Sequence, residues 1–119
     1  MNVAIVGASA KQDRYSYKAV MMLHELGHAV YPVHPTLTAI EGIPVFAAMR
    51  LIPVPLDTVT VYLSAANQAQ VAEEMLACRP RRVIFNPGAE NPALAARLRE
   101  AGIEALEACT LVLLKTGHF

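Results

Sequence analysis

Residues 24–34 read HELGHAVYPVH, and the first five letters satisfy H-E-x-x-H. On one continuous helix this spacing brings two imidazoles to a zinc ion and leaves the glutamate as general base. His24 and His28 would be the ligands and Glu25 the base, with His34 where the longer metzincin pattern has its third ligand. The neighbouring residues argue against that chemistry. Helical patterning stops at Leu26, Gly27 has the composition of a helix terminator, and Ala29-Val30-Tyr31-Pro32-Val33 is strand-like. Pro32 would break a helix carried past His28, and Tyr31 stands where the longer pattern needs glycine for its turn. His24 therefore reads as a surface residue late on a helix, His28 as the entry to a strand, and no metal is expected.

A second candidate lies near the beginning of the sequence. Asn2–Gly7 is an apolar, β-rich run closed by glycine, followed by Ala8, Ser9 and a polar loop. Small residues after a first strand let a phosphate approach main-chain N–H groups, and a following helix N-terminus adds partial positive charge. Gly7, Ala8 and Ser9 are thus candidate phosphate-binding residues. The dinucleotide fingerprint G-x-G-x-x-G is not met, because Ser9 and Gln12 replace its second and third glycines. The second strand ends Val33-His34-Pro35 without the acid that holds an adenosine ribose in that motif, which counts against NAD. Lys11 and Arg14 in the loop supply two cations suited to a ligand with an additional phosphate.

Other reactive side chains are sparse. Cys109 follows a late strand and is the one nucleophile expected near the ligand edge, but no His or Lys adjoins it in sequence to activate the thiol. Glu73 and Glu74 read as a solvated helix face, and Glu90 lies near the same edge without a partner base. No Ser–His–Asp spacing is present, and no catalytic residue is assigned.

These residues need elements to position them. Strand patterns cover 2–7, 28–33, 58–64, 81–88 and 103–106, with a short edge strand at 43–46. Helical patterns cover 17–26, capped by Ser16, then 65–78, and 91–102 with Pro92 at its first position; one or two further turns fit 47–53. Alternating strands and helices predict a single α/β domain over 1–119. It is a Rossmann-like, doubly wound parallel sheet of five or six strands with helices on both faces. The apolar tail from Cys109 to Phe119 is expected to pack on its own sheet, with a homodimer contact as the alternative.

Composition narrows the partners. With 55% hydrophobic and 17% charged residues, 119 residues can bury a core, and ten basic side chains balance ten acidic ones. Neither a nucleic-acid nor a membrane surface is indicated by that balance or by the low aromatic content. Two isolated cysteines make no disulfide framework, and MNVAIVGASA lacks the features of a signal peptide, so a cytoplasmic location is expected.

VAIVGAS (3–9), RYSY (14–17), LGHAVYPVHP (26–35), Gly42 with its following P-V, DTVTVYLS (57–64), RRVIFNPGAEN (81–91) and Cys109 together resemble the small stand-alone CoA-binding proteins. Those are relatives of the CoA-binding Rossmann domain of the succinyl-CoA synthetase α-subunit. The resemblance implies that CoA or an acyl-CoA lies across the carboxyl ends of the strands. It places Gly7, Ala8 and Ser9 at the pyrophosphate, with Arg14, Ser16 and Tyr17 nearby. It sets Val33, His34 and Pro35 at the ribose and adenine, Ser64 on the opposite wall, and Pro87 and Gly88 at the next strand exit. Cys109 could then face the CoA thiol. The chain departs from the family in VHP for V-N-P, in Glu107-Ala108-Cys109 for D-x-C, and at FNPG. Binding without chemistry, as carrier or sensor, is the expected function. The alternatives are an NAD(P)-dependent oxidoreductase fragment and a nucleotide-sensing regulator acting through a protein partner.

Overall fold

The computed structural model describes residues 1–119. Five strands form one parallel sheet: β1 (Asn2–Val6), β2 (Ala29–Val33), β5 (Thr58–Val61), β6 (Arg82–Phe85) and β7 (Glu104–Glu107), in the order β2-β1-β5-β6-β7. A separate two-stranded antiparallel ladder joins β3 (Ala39–Ile40) to β4 (Ile43–Pro44). The doubly wound α/β fold and its five strands are as the alternating pattern predicts.

Strands covered on both faces must be apolar at nearly every position, and β1 obeys this rule. Val3 and Ile5 pack towards helix α1 (Tyr15–Glu25), in a cluster that includes Val20 and Leu23. Ala4 and Val6 face the opposite layer, built with α2 (Ala69–Cys78) and α3 (Pro92–Glu100) around Val71, Met75, Leu94 and Leu98. The tail folds as a short helix, α4 (Thr110–Lys115), which packs against α1 on the first face. Self-packing is thus what the tail does, with Thr110 and Leu111 buried.

Several boundaries differ from the sequence reading. Helix α1 starts at Tyr15, with Arg14 rather than Ser16 as its N-cap residue. Ser16 is in the first turn and buried, because the Lys11–Arg14 turn delivers the chain into the helix earlier than the apolar spacing suggests. The 65–78 segment divides into a 3-10 turn at Ala65–Asn67 and the α-helix, which Arg79 ends in a left-handed conformation (φ 53°). Residues 43–46 do not form a sixth strand of the main sheet. Ile43-Pro44 pairs with β3, and Phe46 alone bridges Val33 through bonds to Pro32 O and from His34 N. Pro32, with no N–H to offer, is tolerated because β2 is the sheet edge.

Candidate functional site

The order β2-β1-β5 puts the topological switch point between β1 and β5, and their carboxyl ends open there. Gly7 leaves β1 at φ +84°, a conformation glycine adopts without cost. A Cβ at this position would come within 3.1 Å of the Leu63 backbone nitrogen. The chain therefore turns sharply beside the exit of β5, and two clefts meet at this turn.

The first cleft, of about 490 Å³, is an apolar slot with polar residues along one side. Val6, Gly7, Val33, His34, Ala48, Leu63 and Val71 shape it, and Asn67, Gln70 and Glu74 come from the 3-10 turn and α2. The second, of about 440 Å³, holds Gly7, Ser9, Lys11, Arg14, Tyr15 and Ser16 on one side. His34, Tyr62 and Pro87 complete it. Gly7 and His34 belong to both clefts, so an elongated ligand can run from one into the other.

Local bonds explain how the turn is held. The Ala8 N–H donates to Val33 O at 3.2 Å, tying the turn to β2 and taking that donor out of use. Ser9 Oγ accepts the Lys11 N–H at 3.1 Å. The N–H groups of Ser9 and Ala10 have no protein acceptor, and Ser9 lines the second cleft. Lys11 and Arg14 pair with no acid, so both cations are free for an anion. His34 Nδ1 accepts the N–H groups of Thr36 (3.1 Å) and Leu37 (3.0 Å), which leaves Nε2 to carry the ring proton.

Not every expected residue reaches the clefts. Tyr17, two residues after Tyr15, turns to the other side of α1, where burial and then the Glu41 carboxylate raise its phenol above the usual range. Leu63 supplies the wall expected of Ser64, which instead precedes the 3-10 turn and accepts from Asn67 Nδ2 at 3.0 Å. Pro87 lines the second cleft whereas Gly88 does not, its N–H being held by Glu90 Oε1 at 2.8 Å. Cys109 is half-buried beside Tyr62 and lines neither cleft.

Two features escaped the sequence reading. One is a buried polar network behind the second cleft. Asn86 Nδ2 donates to Thr60 Oγ1 (2.7 Å) and Val61 O (2.9 Å), its Oδ1 accepts the Thr110 N–H (2.8 Å), and the two threonine hydroxyls meet at 2.7 Å. The Tyr62 hydroxyl lies against these threonines yet makes no hydrogen bond, and burial pushes its pKa up to about 12, so it stays a neutral phenol. The other is Glu74, expected on a solvated face, whose side chain is only 11% exposed because α2 turns it inward against Arg50 and the first cleft. Glu73, one residue earlier, is exposed as expected and pairs with Arg97.

The H-E-x-x-H letters do not share a helix. Helix α1 ends at Glu25, and His28, beyond the turn at Gly27, packs its ring on Phe119 at a centroid distance of 5.4 Å. His34 is committed through Nδ1 to its own loop. The convergence a zinc site requires is therefore not built.

Residues 1–115 match the model of the CoA binding domain family. The chain belongs to that family. A solved structure described as an uncharacterized protein is 38% identical, with a TM-score of 0.93 over 99% of this chain and 97% of its own. A Thermus thermophilus structure is 26% identical, with a TM-score of 0.90 over 99% of this chain and 90% of its own. Bacillus subtilis YneT, itself described as uncharacterized, is 31% identical over 74 residues. That match spans 62% of this chain and only 55% of the relative. The family and the observed switch point agree on a Rossmann-type module for a CoA-like nucleotide. No helix is long and apolar enough to cross a membrane.

Proposed function

We propose that the protein binds CoA or an acyl-CoA across the two clefts and performs no chemistry of its own, serving as a carrier or sensor. The observation that carries this reading is the joining of an apolar slot to a cleft with two unpaired cations at one glycine turn. Adenine suits the apolar slot, the ribose lies by His34, and the phosphates lie by Ser9, Lys11 and Arg14. The free N–H groups of Ser9 and Ala10 and the cations then answer the phosphate charge. The pantetheine arm continues past Tyr62 and Pro87, in the direction of Cys109. Cys109 is the residue a CoA thiol would meet if the protein also formed a mixed disulfide.

The NAD(P) alternative lacks support at the exit of β2, where His34 replaces the ribose-binding acid. Ligand-induced thermal stabilisation separates the readings. CoA is expected to raise the melting temperature, dephospho-CoA less, and NAD(H) not at all. Lys11→Ala with Arg14→Ala should narrow the gap between CoA and dephospho-CoA while leaving the unliganded melting temperature unchanged. A shift with NAD(H) and none with CoA would overturn the proposal.

A further inference from the structure

The Glu74 side chain is 11% exposed and stands between the first cleft and a shallow hollow lined by Arg50, Ala77 and Cys78, and the binding of phosphates gives it no task. One of its oxygens, Oε2, accepts the Arg50 backbone N–H at 2.9 Å and lies 3.6 Å from the Arg50 guanidinium. The other oxygen accepts no hydrogen bond from the protein. An ionised carboxylate has acceptor capacity on both oxygens, so the second oxygen, which solvent still reaches, is open to a donor from a ligand in the slot. Asn67, Gln70 and Glu74 have helical spacing, and all three line the slot, whose walls include Ala48, Leu63 and Val71. Apolar walls with a polar edge suit a heterocycle recognised along its rim.

We propose that Glu74 is the base-selecting residue of this slot, its free oxygen accepting a hydrogen bond from the 6-amino group of adenine. The assignment rests on the CoA reading above and deepens it. A 6-oxo base presents an oxygen where adenine presents its amino group, so Glu74 would face an acceptor with an acceptor. Sites that bond a specific donor discriminate strongly against an analogue lacking it, because the buried protein group is then unpaired. Gln70 carries an amide that can both donate and accept, and therefore distinguishes the two bases less.

The test compares CoA with its deaminated, hypoxanthine-containing analogue by isothermal titration calorimetry. Wild-type protein is expected to bind CoA at least about tenfold more tightly, a factor equal to ~1.4 kcal/mol. Glu74→Gln keeps an acceptor for the Arg50 N–H and adds a donor for a 6-oxo group. It should compress the preference to about threefold or less, or reverse it. Equal affinity of wild type for the two ligands would overturn the role of Glu74 while leaving CoA binding intact. A preference unchanged in Glu74→Gln would overturn it as well. Failure of wild type to bind CoA would instead overturn the underlying CoA reading. The wild-type comparison needs no substitution, so a folding defect in the variant cannot obscure the answer.

Discussion

Gly7 shows how a single residue sets the geometry of both clefts. Its φ of +84° lies where a side chain is strained, and an added Cβ would press on the Leu63 backbone, which cannot swing away as a side-chain tip could. Gly7→Ala is expected to destabilise the protein by about 1–3 kcal/mol, the scale of one residue held in an unfavourable backbone region. It should also weaken CoA binding by moving β1's exit away from β5. Urea unfolding and calorimetry would check both effects, and an unaltered stability would mean that the turn relaxes freely. This glycine was legible in the sequence because glycine after an apolar first strand has a specific backbone meaning. Glu74 was not legible, since adjacent glutamates on a helix look alike until packing turns one inward. The Tyr15/Tyr17 distinction failed for the same reason: two aromatics in one turn differ in direction by the helix phase, which depends on where the helix starts. Leu63 and Ser64 lie in the bend beyond β5, where the strand alternation no longer says which side chain faces the cleft.

At the scale of elements, the alternation of apolar strands with helices gave five parallel strands and the helices between them, because burial on both faces leaves a strong compositional mark. The short pieces were less legible. Two-residue strands such as β3 and β4 carry little pattern, and Phe46 reaches the sheet through a single bridge. Helix α4 has six residues and draws its definition from tertiary contacts rather than from its own sequence. Asn86 makes one of those contacts. It joins the end of β6 to Thr60 and Val61 of β5 and to the first N–H of α4, so three elements meet at one buried amide. Asn86→Ala would leave the buried Thr110 N–H without its acceptor and open a small void, whereas the Val61 carbonyl keeps the backbone N–H of residue 86 at 3.2 Å. The expected loss is about 2–3 kcal/mol, combining the unpaired buried N–H of Thr110 with the lost packing. Amide exchange should quicken most in α4, where the anchor is removed. A uniform increase across the domain would show that α4 is held chiefly by its packing on α1.

On the scale of the whole molecule, the two edges of the sheet divide the work. The carboxyl edge opens into the clefts, whereas the amino edge is closed by charged groups that make local bonds. Arg81 Nε donates to Asp57 Oδ2 at 3.0 Å, and the Thr58 hydroxyl donates to Asp57 Oδ1 at 2.6 Å. Beside them the Arg82 guanidinium lies 4.4 Å from the centre of the Phe119 ring and donates through Nε to Thr58 Oγ1. The Arg81 hydrogen bond, assisted by that of Thr58, holds the Asp57 carboxyl below its usual range despite an opposing effect of burial. A depressed carboxyl binds a proton less readily in the folded chain than in the unfolded one. Its contribution is therefore complete above the unfolded pKa near ~4 and is lost as pH falls through the lower folded value. The contribution is small, under ~1 kcal/mol, because the Arg81 side chain is 55% exposed and water screens the pair. Asp57→Asn should accordingly melt below wild type at pH 7, and the two curves should converge as acid carries the pH below the lowered folded value. Because the pair stands at the edge opposite the clefts, the stabilisation produced by CoA at pH 7 should be the same in both proteins. A difference in melting that persists undiminished in acid would assign the Asp57 effect to hydrogen-bond geometry rather than charge, and a reduced CoA response would show that the two edges are coupled through the strands.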